Sequence, residues 1–208
     1  NTNRILGRFV DKIFVTYEQS KNQFSAGKVM VTGNPVRAAF TERLGNPVSR
    51  KSGRQILVFG GSQGAAAINK TVVAMLPYLQ KMKDSLKIVH QTGERDLVMV
   101  KKAYEQYGLD ARVSPFIEDM VSAYESSDLI ICRAGATSLA EITAAGRASI
   151  LIPFPWAAND HQTLNARAMV DAEYLASAEA QIAVRRTGLP ADVAHMVVYL
   201  SSDRARYV

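Results

Sequence analysis

The sequence predicts an α/β fold: a parallel sheet covered by helices on both faces. Three observations carry this. Short unbroken apolar runs, Ile56-Leu57-Val58-Phe59, Leu129-Ile130-Ile131-Cys132 and Ile150-Leu151-Ile152, have the pattern of strands buried on both faces. Between such runs lie stretches with apolar residues at helical spacing, clearest over residues 66–79 with Ile68, Val72, Met75, Leu76 and Leu79. Regular alternation of the two implies right-handed crossovers and hence parallel neighbours.

Taken in order, residues 1–8 are polar and mixed. Ile13-Phe14-Val15 and Val29-Met30-Val31 read as short strands, and Gly33 and Pro35 mark a turn ending at Arg37. Arg37 is either a surface charge or a cation facing a phosphate. Residues 46–53 are turn-rich and read as a connection. The strand at Ile56 runs into the glycine-rich turn Gly60-Gly61-Ser62-Gln63-Gly64-Ala65, and the helix over 66–79 follows. Lys87-Ile88-Val89-His90 is the next strand, and a helix over 96–107 ends at Gly108. Arg112-Val113 is a short strand leading to Pro115-Phe116-Ile117, and a short helix over 118–126 turns Met120, Val121 and Tyr124 inward. After the strand at Leu129, residues 133–137 form a small flexible turn. Ser138 reads as the N-cap of the next helix, with Glu141 three residues later as in a capping box. Glu141 has a second reading, a carboxylate gripping the two hydroxyls of a ribose. A last helix over 161–171 carries Leu164, Ala168 and Met169.

Ligands of parallel sheets bind beyond the carboxyl ends of the strands. The loops there are 60–65, 90–93, 116–118, 133–138 and 153–162. Two of them open helices whose N-termini favour an anion such as phosphate. The glycine turn lacks the G-x-G-x-x-G spacing and the P-loop lysine, and the second strand ends in His90-Gln91-Thr92 rather than an acid, which counts against a nicotinamide cofactor. Two phosphate-friendly helix ends and a ribose carboxylate suit a nucleoside diphosphate with a group attached. Asp160-His161-Gln162 supplies polar groups for a sugar, Gln162 above all; His161 also reads as a helix cap or surface residue.

Composition narrows the class. The chain has 208 residues, 48% of them hydrophobic, enough for a large core. Its net charge of +6 fits an anionic ligand or membrane surface, but the basic residues are scattered and argue against nucleic acid. The one cysteine, Cys132, lies in a buried run and reads as structural. The three histidines fall at no metal-ligand spacing, so neither a metal nor a cofactor is expected. No apolar run reaches membrane-span length.

Six motifs follow one another in the chain: Gly33-Asn34-Pro35-Val36-Arg37, Gly60-Gly61-Ser62-Gln63-Gly64-Ala65, His90-Gln91-Thr92-Gly93, Phe116-Ile117-Glu118-Asp119-Met120, then Cys132-Arg133-Ala134-Gly135-Ala136-Thr137-Ser138-Leu139-Ala140-Glu141-Ile142, and His161-Gln162-Thr163-Leu164-Asn165-Ala166. In this order they resemble the C-terminal half of the MurG glycosyltransferases, over about residues 1–170. The resemblance implies a Rossmann-like, donor-binding half of a GT-B enzyme. That family adds N-acetylglucosamine from UDP-N-acetylglucosamine to the lipid-linked muramyl-pentapeptide of peptidoglycan synthesis, at the inner face of the cell membrane. Carried over by motif, Gly61, Ser62, Gln63 and Gly64 face the diphosphate, with Arg37 near it. Ile117, through its backbone, and Met120 hold the uracil, with Phe116 a further substrate-binding residue beside them; Glu141 takes the ribose, and Ala136, Thr137, His161 and Gln162 meet the diphosphate and sugar. No catalytic residue is assigned. The N-terminal half, with the acceptor site and presumed base, has no counterpart in the sequence, so the chain is expected to bind donor without transfer. Apolar surface left bare by that half could drive a homodimer.

Residues 171–208 depart from this pattern. Part of them, from Thr187 to Asp203, resembles the late helix of short-chain dehydrogenases; the simpler reading is an amphipathic covering helix with Val193, Met196, Val197 and Leu200 inward. Two other functions stay open at this point: a chimeric scaffold with a vestigial nucleotide site, and a fragment of an NAD(P)-dependent oxidoreductase.

Overall fold

The computed structural model describes residues 2–43, 54–157 and 160–169. The proposed division at residue 170, the tail helix and the connection at 46–53 lie outside the described residues.

The chain begins with α1 (Thr2–Leu6), then β1 (Ile13–Val15), β2 (Val29–Val31) and α2 (Ala38–Arg43). The strand–helix alternation follows: β3 (Arg54–Phe59), α3 (Ala66–Leu79), β4 (Leu86–Gln91), α4 (Leu97–Tyr107), β5 (Asp110–Ser114), α5 (Met120–Glu125), β6 (Leu129–Cys132), α6 (Ala136–Ala145), β7 (Ala148–Leu151) and α7 (His161–Ala168). Five strands form one parallel sheet in the order β5-β4-β3-β6-β7. This is the doubly wound order expected of a Rossmann-like fold, with the switch point between β3 and β6. β1 and β2 pair with each other, in parallel, as a separate two-stranded sheet.

Each face of the large sheet has its own core. On one, Ile56, Val58, Ile88 and Ile131 pack against α3 and α4. The predicted stripe of α3 is fully buried there: Ile68, Val72, Met75, Leu76 and Leu79. Burying each such side chain is worth about 1.5–3 kcal/mol, so this one helix is a major anchor. On the other face Leu57, Phe59, Ile130 and Cys132 pack against Val121 and Tyr124 of α5, Leu139 and Ile142 of α6, and Phe40 of α2. Cys132 is free and buried, and burial pushes its thiol up to about 12, which keeps it protonated and inert. α4 ends on Gly108 in the left-handed conformation, and α6 ends the same way on Gly146.

One local expectation is overturned. The helix after β6 starts at Ala136 on the N-cap Gly135, and Ser138 and Glu141 form no capping box. The Glu141 carboxylate turns instead to Arg37 and Tyr124. Hydrogen bonds from a guanidinium and a phenol to a carboxylate outweigh one reciprocal bond to a backbone N–H.

Candidate functional site

Because every strand of the large sheet is parallel, the five loops beyond its carboxyl ends share one edge. The first, residues 60–65 after β3, is fixed by glycine. Gly64 has φ +75, and a Cβ there would lie 2.0 Å from the Thr92 carbonyl oxygen; one on Gly93, at φ +73, would lie 2.2 Å from the Gln63 carbonyl oxygen. The loops after β3 and β4 therefore interlock backbone to backbone. The Gln91 side chain adds a bond of 3.0 Å from Nε2 to the Gly61 carbonyl.

A buried polar cluster supports this pair of loops from below. Asn69 donates through Nδ2 to the Thr92 carbonyl (2.9 Å) and to the Asp96 carboxylate (2.7 Å). Its Oδ1 meets His90 Nε2 at 3.1 Å, and His90 Nδ1 meets the Tyr104 hydroxyl at 3.0 Å. Since Asn69 Oδ1 can only accept, the imidazole carries its proton on Nε2 and accepts from Tyr104. Burial lowers the His90 pKa to about 3, so the ring is neutral. His90 is thus a structural histidine at a strand end, as its sequence position suggests. Asn69 went unnoticed in the sequence although a signal exists. It lies three residues before Val72 and seven before Leu76, on the buried stripe, and a polar residue there must have a partner.

Ser62, Gln63 and Gly64 line a cleft of about 510 Å³ with Thr92, Gly93 and Phe116. Ser62 and Gln63 are exposed, as is Phe116. Ile117 and Met120 are half-buried against the apolar cluster that includes Leu139 and Ile142, the residues flanking Glu141 on α6. α5 itself is capped by Asp119, whose carboxylate accepts from the Ser122 N–H at 3.0 Å. α3 and α6 differ: their N-caps, Ala65 and Gly135, bring no side-chain cap to the first-turn N–H groups.

Glu141 is buried on α6. Its Oε1 accepts from Arg37 Nη2 at 3.0 Å and its Oε2 from the Tyr124 hydroxyl at 3.1 Å. Arg37 is half exposed and packs its guanidinium 5.4 Å from the Phe40 ring centre. Tyr124 is fully buried, edge-on to Phe40 at 5.3 Å and to Phe59 at 5.8 Å. Burial first, then the charge of Glu141, raises its phenol far above the usual range, so it stays a donor. From its helical spacing Tyr124 reads only as a core residue; a buried tyrosine hydroxyl, however, requires a partner.

The third group surrounds the start of α6. Ala136, His161 and Asn165 line a cleft of about 580 Å³ that reaches Thr16 and Phe14 of the small sheet region. Thr137 is exposed in the first turn of α6. Gln162 Oε1 accepts from the Phe154 N–H at 2.9 Å, and Asn165 Nδ2 donates to the Ala134 carbonyl at 3.1 Å. Asp160, at φ +51, starts α7 and accepts from Thr163 Oγ1 at 2.6 Å. The site residues named from the sequence thus fall into three groups: Ser62, Gln63, Gly64 and Phe116 along one cleft, Arg37 on Glu141, and Ala136 with His161 along another. Uncapped helix starts beside glycine loops suit an anion. Each carboxylate oxygen of Glu141 accepts from one donor and keeps lone-pair capacity for a second, which suits a vicinal diol.

Comparison with known proteins follows the same line. The glycosyltransferase family 28 C-terminal domain matches residues 55–198, a span that continues past Met169 into the segment read as departing from the pattern. A UDP-N-acetylglucosamine--N-acetylmuramyl-(pentapeptide) pyrophosphoryl-undecaprenol N-acetylglucosamine transferase of Syntrophus aciditrophicus is 58% identical over 173 residues, 82% of this chain and 47% of its own length. The protein of that name from Pelobacter propionicus is 44% identical over 90% of this chain and 60% of its own. The chain spans about half the length of the curated relatives it matches. Among solved structures, Acinetobacter baumannii MurG superimposes with a TM-score of 0.66 at 31% identity, covering 98% of this chain and 56% of that one. The glycotransferase of kitacinnamycin shares the fold, with a TM-score of 0.62 at 18% identity. The fold is that of a GT-B glycosyltransferase half, and the chain belongs to the glycosyltransferase family 28 C-terminal domain family.

Proposed function

We propose that this chain is the donor-binding half of an inverting glycosyltransferase that moves N-acetylglucosamine from UDP-N-acetylglucosamine to the lipid-linked muramyl-pentapeptide of peptidoglycan synthesis. The observation that carries the reading is the 58% identity, over 82% of this chain, to a transferase of that name. The geometry supports it. The interlocked glycine loops and the start of α3 offer backbone N–H groups to a diphosphate. Ile117 and Met120 lie in the same apolar cluster as the residues flanking Glu141, so a base and its ribose can be held side by side. Arg37 keeps four guanidinium N–H groups beyond the one on Glu141 for a nearby phosphate. Ala136, Thr137, His161 and Gln162 take the diphosphate and sugar.

In this reading the chain's chemical work is to stabilise departing UDP. The acceptor hydroxyl displaces it in one step, and charge develops on the β-phosphate oxygen. Fixed N–H groups and a cation aimed at that oxygen lower the barrier. The acceptor site and a base belong to the other half of the protein, and the described residues contribute donor binding. No helix among the described residues is long and apolar enough to cross a membrane; the lipid-linked acceptor would be met by the other half, at the inner membrane face.

Isothermal titration tests the reading. UDP and UDP-N-acetylglucosamine should bind one to one, with ADP and uridine much weaker. Absence of UDP binding, or equal binding of UDP and ADP, would overturn it.

A further inference from the structure

We infer that Tyr124 is the positioning residue for ribose recognition: its buried hydroxyl fixes the rotation of the Glu141 carboxylate so that one free lone-pair position on each oxygen faces the 2′,3′-diol of the nucleotide. The inference rests on the proposed reading of Glu141 and adds to it the group that makes the carboxylate selective.

A carboxylate on a glutamate side chain turns easily about its last torsion, where the rotamer wells are broad. One donor alone would leave that rotation loose. Here two donors grip different oxygens, Arg37 on Oε1 at 3.0 Å and Tyr124 on Oε2 at 3.1 Å. They are not equivalent. Arg37 is half exposed on a long, flexible side chain. The Tyr124 ring is fully buried and clamped edge-on by Phe40 and Phe59. The hydroxyl is therefore the rigid reference point, and the arginine completes the pair. Each oxygen then has one accepting position left. Two acceptors at the separation of one carboxylate match two neighbouring hydroxyls and are half idle against a 2′-deoxy sugar.

The test is the ratio of dissociation constants for UDP and 2′-deoxy-UDP. Wild type should prefer UDP by about tenfold or more, the effect of one hydrogen bond to a charged group. Tyr124→Phe, which keeps the ring and its packing, should bring that ratio to within about threefold by weakening UDP, with 2′-deoxy-UDP little changed. Leu79→Ala, at the end of α3 in the core on the opposite face of the sheet, leaves the Tyr124 cage intact. It should lower the melting temperature and keep the preference, which separates positioning from stability. In a Glu141→Ala background, Tyr124→Phe should alter the ratio no further. Should Tyr124→Phe fold poorly, 3-fluorotyrosine at position 124 retains the ring and makes the hydroxyl a stronger donor; the preference should then hold or rise. A Tyr124→Phe protein that still prefers UDP tenfold, or a fluorotyrosine protein that loses the preference, overturns the inference. A wild type that binds both ligands equally overturns the ribose reading itself.

Discussion

Glu141 shows how much one residue's neighbours decide. Its spacing from Ser138 is that of a capping partner, and local pattern alone cannot separate that from a ligand role. The partners that take the carboxylate away from the capping role lie 104 and 17 residues away in sequence, at Arg37 and Tyr124, and only the fold unites them. Replacing Glu141 with alanine removes the acceptor of both and, under the proposed function, that of the diol. Titration should show UDP affinity lowered by about 1–3 kcal/mol; unchanged affinity would remove Glu141 from the site. His90 was legible as a strand-end residue, but its cluster was not, because Asn69 and Tyr104 come from two different helices. The cluster makes a pH prediction. The folded imidazole has its pKa lowered to about 3 from 6.5, so below pH 6.5 the unfolded chain binds a proton that the folded chain refuses. The histidine's contribution is therefore full above pH 6.5 and declines by about 1.4 kcal/mol per pH unit on the way down to pH 3. Urea denaturation at pH 7 and pH 4.5 should show stability falling by on the order of 2 kcal/mol more in wild type than in His90→Gln. Equal losses in the two proteins would mean that position 90 does not titrate on unfolding.

At the scale of elements, strong periodicity was legible and short or non-local features were not. The α3 bounds and stripe were readable because five apolar residues repeat at helical spacing over 14 residues. α1 escaped notice: it is five residues long and buries none of them. The start of α6 was misjudged by three residues, Ser138 being expected as the N-cap, since Gly135 caps it without a side chain. The glycine turn was legible as a turn between β3 and α3, but its interlock with the loop after β4 depends on β3 and β4 being neighbours. That interlock is testable by comparing glycines. At Gly108, φ is +64 and a Cβ would meet nothing within 4 Å, so Gly108→Ala should cost only the left-handed backbone penalty of about 1–2 kcal/mol. At Gly64 and Gly93 the added carbon would also strike backbone at 2.0 and 2.2 Å. Overpacking adds about 1–3 kcal/mol at each, and the loops must part. Urea melts should rank Gly64→Ala and Gly93→Ala well below Gly108→Ala, with UDP binding lost in the first two alone. A Gly64→Ala protein as stable as Gly108→Ala would mean that the loops do not interlock.

For the whole molecule, alternation was enough to give a parallel sheet and one shared ligand edge, because right-handed crossovers leave little other choice. It could not show that β1 and β2 form a sheet of their own, since two three-residue strands carry no pairing signal. Nor could it show the surface that this separate unit presents. Ile5 (58% exposed), Leu6 (55%), Phe9 (82%), Phe14 (64%) and Met30 (48%) all belong to α1, β1, β2 and the turns between them. Lys28 ties this unit together, donating to the carbonyls of Arg8 and Val10. Scattered apolar residues on a surface are ordinary, but five large exposed ones within one small unit favour cover. A second copy of the chain is an available cover. Sedimentation velocity should therefore show a sedimentation coefficient that rises with protein concentration. Phe9 and Met30 do not line the clefts at the sheet edge, so Phe9→Asp with Met30→Asp places two charges on that surface without changing a cleft residue. The double variant should sediment as a monomer at every concentration and bind UDP within about twofold of wild type, a difference of roughly 0.4 kcal/mol. Concentration-dependent association that persists in the double variant would move the contact to another face, and a wild type that stays monomeric would show that the patch draws no second copy.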